Sequence, residues 1–320
     1  MTPIPGTADD AALNTAAALL EAHPDYRVLR RLSIASDFGV SPTGPVATAV
    51  VIDTETTGTN HRDDQIIELG ILRFDYDADS GAILRITDVY SALEDPGRPI
   101  PPESTAIHGI TDEMVAGQAL DDARVAAIVA GATLIVAHNA AFDRPFLEMR
   151  MPLFATLAWG CSFAQIPWAE EGFRGSKLEY LGIACGFFYD AHRSETDCRA
   201  LLEVLRRPLL KSGRIAFRQL LDAAAEPALR LWAIGSAFET KDVLRERGYR
   251  WEVRIVAVGV EPGFGGEADD VDFLGPGPDR PFDSTALAGH DRGGLALVGG
   301  EFGLASGADG EGHDEDRIGP

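Results

Sequence analysis

A chain of 320 residues, 45% hydrophobic, with a mean hydropathy of −0.02, has the make-up of a soluble globular protein with one sizeable core plus appendages or two small ones. No apolar run approaches the roughly 20 residues that span a bilayer. The opening Met1-Thr2-Pro3-Ile4-Pro5-Gly6 lacks the basic and apolar regions of a secretory signal, so the expectation is a cytoplasmic protein with no membrane partner. The net charge of −22 argues against a broad non-specific grip on nucleic acid, although half of the excess lies from Gly259 onward, where fourteen acidic residues face three arginines.

In chain order, Asp9 to Leu32 reads as helix, with a stripe of Ala11, Leu13, Ala16, Leu19 and Leu20 and a break at His23-Pro24. A second short helix is predicted over Tyr26 to Leu32, placing Arg27, Arg30 and Arg31 on one face, more simply a solvated face than a phosphate-contacting patch. Ser33 to Pro45 reads as a linker. Three strands are predicted next, Ala47–Asp53, Gln65–Phe74 and Ala82–Val89, forming an antiparallel meander. Helices then alternate with strands: Asp112–Ala116 and Asp121–Val129 as helices, Thr133–Ala137 as a strand, and Ala140–Met149, Lys177–Cys185 and Glu195–Leu205 as helices. That order defines an α/β fold with a mixed sheet flanked by helices.

A small C-terminal α/β extension follows, with strands at Arg230–Ile234 and Tyr249–Glu252 and a helix over Thr240–Arg247. Beyond Val258 periodicity stops, glycine is abundant and lysine is absent, which reads as a disordered tail. The chain has only three lysines against 25 arginines, as GC-rich coding produces, and an out-of-frame stretch of such a gene encodes Gly, Ala, Asp and Arg. The tail after about Glu252 is therefore a candidate frameshift or read-through, which resequencing decides. Cys161, Cys185 and Cys198 form neither a Cys-x-x-Cys nor a zinc-ligand spacing and read as free thiols in a reducing compartment.

Three stretches carry the chemistry. In Val51-Ile52-Asp53-Thr54-Glu55-Thr56-Thr57-Gly58, two carboxylates stand two apart at a strand end, so both project from one face. Paired carboxylates in a partly buried place need cations to stay ionised, and Mg²⁺ or Mn²⁺ prefers such oxygens. In Ala137-His138-Asn139-Ala140-Ala141-Phe142-Asp143, the acid falls in the first turn of a helix, where dipole stabilisation is its bland role; Asn139 could be the N-cap. In His192-Arg193-Ser194-Glu195-Thr196-Asp197, the Ser-x-x-acid spacing matches a capping box, and His192 is suited by its titration range to take a proton from water.

Together these stretches resemble the three motifs of the DEDDh 3′→5′ exonucleases, a superfamily with a ribonuclease-H-like fold that includes the proofreading epsilon subunit of bacterial DNA polymerase III. The resemblance runs from about Ala47 to Leu210 and extends to Ile107-His108-Gly109-Ile110-Thr111 and Lys177-Leu178-Glu179-Tyr180-Leu181. It implies that Asp53, Glu55, Asp143 and Asp197 hold two divalent cations, Mg²⁺ or Mn²⁺, with His192 as general base. It further implies that Thr56 and Thr57, with His108 and Asn139 lining the cleft, hold the terminal nucleotide. Ser194 stands where the family often has alanine. The implied partner is a nucleic-acid 3′ end, DNA favoured over RNA, together with replication or repair proteins. An RNA exonuclease of the same fold and a catalytically silent binding module are the alternatives. The organisation that follows is a helical segment and linker over 1–45, an exonuclease domain over 46–212, the α/β module over 213–256 and the tail over 257–320. Lys241, Arg245, Arg247, Arg250 and Trp251 of the module could contact a strand or only cap the structure.

Overall fold

The computed structural model describes residues 10–226 and the two strands 250–253 and 271–274. Its centre is a five-stranded mixed sheet of β2 (Val46–Thr56), β3 (Ile66–Asp77), β4 (Ile83–Leu93), β5 (Ile135–Ala137) and β6 (Trp159–Cys161), in the order β4-β3-β2-β5-β6. The first three strands form the expected antiparallel meander, while β5 and β6 run parallel to β2. Ala49 to Ile52 are fully buried because helices cover both faces of β2.

The alternation along β2 sorts its residues between two cores. Ala49 and Val51 join Leu72 and Phe74 under α8 (Ser194–Leu205), through Cys198, Leu201 and Leu202. Val50 and Ile52 join Leu69 and Ile71 under α4 (Asp122–Val129) and α5 (Ala140–Arg150), through Val125, Ile128, Phe146 and Leu147. Asp53 and Glu55 continue the odd-numbered face, so the same period-two rule carries them toward α8.

Short helices α3 (Asp112–Val115) and α7 (Leu178–Ala184) form where helices were expected, whereas α2 (Pro102–His108), α6 (Ser162–Gln165) and a 3-10 turn at Pro152–Thr156 were not legible from periodicity. Helix α9 (Ala216–Ala225) lies in the segment assigned by sequence to the following module. Its Phe217 packs into the first core, edge-on to Phe74 and Tyr76 with ring centroids 5.2 and 4.9 Å apart.

The N-terminal segment departs from expectation. Helix α1 spans Asp10–Glu21, but Tyr26 to Leu32 is not helical: Arg30–Arg31 forms β1, which pairs in parallel with β7 (Phe187–Phe188). The three arginines are drawn apart by separate partners. Arg27 donates to the carbonyls of Ile183 and Ala184 at the end of α7, Arg30 to Asn14 and Glu21, and Arg31 to Asp190. The shared arginine face therefore does not exist. The linker is also tied down: Phe38 N–H and Ile86 N–H bond across to Leu84 and Ser36, and Asp77 accepts the amides of Thr43 and Gly44.

Arg250–Val253 forms β8, matching the strand expected there, and pairs antiparallel with β9 at Val271–Leu274, a stretch read as structureless tail. The strand at Arg230–Ile234, the helix at Thr240–Arg247 and the rest of the tail lie outside the described residues. The three cysteines are free, and burial raises each thiol, that of Cys185 to about 11, which leaves them as poor nucleophiles. Among the described residues no helix is long and apolar enough to cross a membrane.

Candidate active site

The parallel ladder between β2 and β5 pairs Val50 with Ile135 and Val51 with Val136. Past it, the backbone N–H of Thr54 needs another acceptor. Asp143, in the first turn of α5, supplies it: its Oδ1 accepts from Thr54 N at 3.0 Å and from Thr54 Oγ1 at 2.8 Å. The structure thus brings the second motif onto the first through this buried carboxylate, 3% exposed.

The third motif arrives along α8. Asp53, Glu55 and Asp197 offer carboxylate oxygens that all lie within 4.8 Å of one another. Asp197 is held by Tyr189, whose hydroxyl donates to Oδ1 at 3.1 Å, and by the Arg193 amide, which donates to Oδ2 at 3.0 Å. The expected capping box does not form. Asp197 reaches back to the N-cap amide of Arg193, but Ser194 Oγ is buried without a hydrogen-bond partner.

So many acids in one place cannot ionise freely. Burial raises Glu55 to about 8, with Asp197, Glu68 and Asp143 adding repulsion and Arg193 opposing it. Asp143 is raised to about 7, again by burial first, against the lowering effect of its bonds to Thr54. Asp53 and Asp197 are also raised, Asp53 well above the usual carboxylate range. This is a hard-oxygen donor set whose ionised form is stable only with added positive charge, and it fits divalent cations.

His192 is exposed beside this cluster, and its backbone is in the left-handed region at φ 64°. His108 closes α2 as a buried ring. Its Nδ1 accepts from Ile110 N at 3.0 Å, its Nε2 has no well-formed hydrogen bond, and burial lowers its pKa. Thr56 is buried, and its Oγ1 donates to Gly58 O at 2.6 Å. Thr57 faces inward: 1% exposed, its hydroxyl is taken up by Asp64, Arg98 and Gln65, so its side chain holds the loop instead of facing the cleft. Asn139 occupies the N-cap of α5 as expected, exposed, but its side chain makes no capping bond.

Three contributors had no role in the sequence reading. Glu68 lies opposite Glu55 in the β2–β3 register, 2% exposed. Tyr189 orients Asp197. His138 bridges Ser162 Oγ at 2.9 Å and the Ser176 carbonyl at 2.8 Å, which ties the end of β5 to the segment before α7. For Glu68 a signal was present, since an acid inside the apolar run Ile66-Ile67-Glu68-Leu69 must have a buried partner.

Carboxylates gathered at the end of the central strand of a mixed sheet make a candidate metal site, and comparison with known proteins gives the family. The exonuclease family described as RNase_T matches residues 50–205. A DNA polymerase III subunit epsilon of Treponema pallidum is 34% identical over 165 residues, covering 48% of this chain and 72% of that protein. A PolC-type DNA polymerase III of Thermotoga maritima is 35% identical over 205 residues, 60% of this chain but only 14% of that much longer protein. Among solved structures, Exonuclease X in complex with 5′ overhanging duplex DNA is 29% identical with a TM-score of 0.42, covering 55% of this chain and 99% of that one. The chain belongs to the exonuclease family, with a ribonuclease-H-like fold and similarity to epsilon subunits of DNA polymerase III.

Proposed function

We propose that the protein is a metal-dependent 3′→5′ exonuclease that releases nucleoside 5′-monophosphates from DNA ends, in proofreading or repair. The observation that carries this reading is the trio Asp53, Glu55 and Asp197, with oxygens within 4.8 Å of one another and Asp143 anchored behind them. Asp53, Glu55, Asp143 and Asp197 would hold two divalent cations, Mg²⁺ or Mn²⁺, which supply Lewis-acid polarisation of the phosphoryl oxygens. His192, exposed at the rim, takes the proton of the attacking water. Thr56, His108 and Asn139 border the space for the terminal nucleotide. The names of the relatives, DNA polymerase III subunits, support DNA as the substrate and replication or repair proteins as partners.

The exonuclease domain proposed here takes in the helix at 216–225, since its Phe217 belongs to the first core. Side-by-side digestion of single-stranded DNA, duplex DNA with a mismatched 3′ end, and RNA tests the substrate. Faster shortening of the DNA substrates is expected. Degradation of RNA alone would move the assignment to an RNA exonuclease, because the discriminating contact is to a single 2′-hydroxyl.

A further inference from the structure

We infer that Glu68 is a positioning residue: through Arg193 and the amide of Ser194 it clamps the loop that carries His192 and so sets where the base stands. This rests on the hydrolytic reading above. Glu68 is a buried carboxylate in an apolar strand, a costly placement unless its oxygens are fully used. They are used entirely on the residues just after His192. Arg193 Nε donates to Oε1 and Oε2 at 3.0 and 3.1 Å, Arg193 Nη2 to Oε1 at 2.6 Å, and Ser194 N to Oε2 at 3.0 Å. These commitments set Glu68 apart from the neighbouring trio that can hold a cation.

The same short segment is fixed from two other sides. Arg193 N also donates to Asp197, which couples the loop to a proposed cation ligand. Gly70, next on the same face of β3, touches the start of α8 so closely that an added Cβ would lie 2.5 Å from the Ser194 carbonyl carbon. Between these restraints His192 is held at φ 64°, the one non-glycine residue with positive φ among those described. A left-handed non-glycine residue is strained and persists where its surroundings over-determine it. Glu68, Gly70 and Asp197 supply that over-determination.

The test is a double-mutant cycle on kcat with Glu68→Gln and His192→Ala in the full chain, with amide hydrogen exchange over residues 191–195 as a readout independent of turnover. Glu68→Gln should lower kcat by about 10–100-fold, as a misplacement near 1 Å does. KM should stay near wild type, and the loop amides should exchange at least about tenfold faster, since local opening sets their protection. In the His192→Ala background the second substitution should cost nothing further. An equal loss in both backgrounds, or wild-type kcat in Glu68→Gln, overturns the inference while leaving the hydrolytic reading intact. A wild-type protein inert on every substrate overturns that reading instead. Should Glu68→Gln fail to fold, Arg193→Gln, at the exposed end of the pair, enters the same cycle with the same expected outcomes.

Discussion

Withdrawing divalent cations should make the protein less stable as pH rises, and the carboxylate cluster sets the size of the effect. Glu55 lies at about 8 in the fold against 4.5 for a free side chain, and Asp143 at about 7 against 3.8. Raised folded-state values mean that the native protein binds these protons more tightly than the unfolded chain. The associated stability is complete below about pH 4 and is lost as pH climbs through 7 and 8. For Glu55 alone the difference amounts to about 5 kcal/mol. The rise of Asp143 stems partly from the same mutual repulsion and is not added in full. Against a typical total of about 5–15 kcal/mol, the loss is large. Buried His138, held down to about 4, works the opposite way and gains stability as pH rises to about 6.5. In chelator, Tm should therefore fall most clearly between about pH 6.5 and 8, where only the carboxylates still change between native and unfolded chain. Cations bound only to the fold reverse the trend: at about a hundredfold excess over Kd each ion adds about 2.7 kcal/mol, or about 5–10 °C for a domain of this size. The assay is thermal unfolding across that range with EDTA, Mg²⁺ or Mn²⁺. A Tm in chelator that is flat or rises with pH, and that neither cation alters, would refute the reasoning.

Two further substitutions separate stability from turnover. Asp53→Asn removes a carboxylate whose ionisation is opposed first by burial and then by Asp143, Asp197, Glu55 and Glu68, so in chelator near pH 8 the variant should be more stable than wild type, yet without nuclease activity; unfolding and digestion assays on one preparation check both halves. Ser194→Ala deletes a buried hydroxyl with no partner and keeps the backbone amide that binds Glu68. It should raise Tm by about 2–4 °C, the equivalent of about 1 kcal/mol, with kcat unchanged; a lower Tm would mean that the hydroxyl is satisfied.

The central strands were legible because burial on both faces leaves an unbroken β-branched run, as in Val50-Val51-Ile52, and the shared face of Asp53 and Glu55 because their spacing follows the strand period. The structure gathers Asp53, Glu55 and Asp197 and anchors Asp143 to Thr54. What failed depended on partners distant in sequence. Tyr26 to Leu32 has a helical charge pattern, but Arg27 and Arg31 find their partners near residues 183–190, so the segment adds a strand instead. Thr57 shares a motif with Thr56, yet the β-bulge beside Glu55 ends the regular pairing, and Thr57's hydroxyl is turned into the Asp64 and Arg98 network. Helix α9 was missed as part of the main core because its apolar face is short and its partners, Phe74 and Tyr76, lie some 140 positions earlier. Glu68 could have been flagged as a buried acid, but no local rule points from it to Arg193.

The most direct measurement of the central claim follows an oligonucleotide labelled at its 5′ end and a second labelled at its 3′ end, with Mg²⁺ or Mn²⁺ and with EDTA. Cation-dependent shortening of the first from its 3′ side, with early release of labelled nucleoside 5′-monophosphate from the second, is the predicted result. Loss of the 5′ label first, or no release with either cation on DNA or RNA, would contradict it.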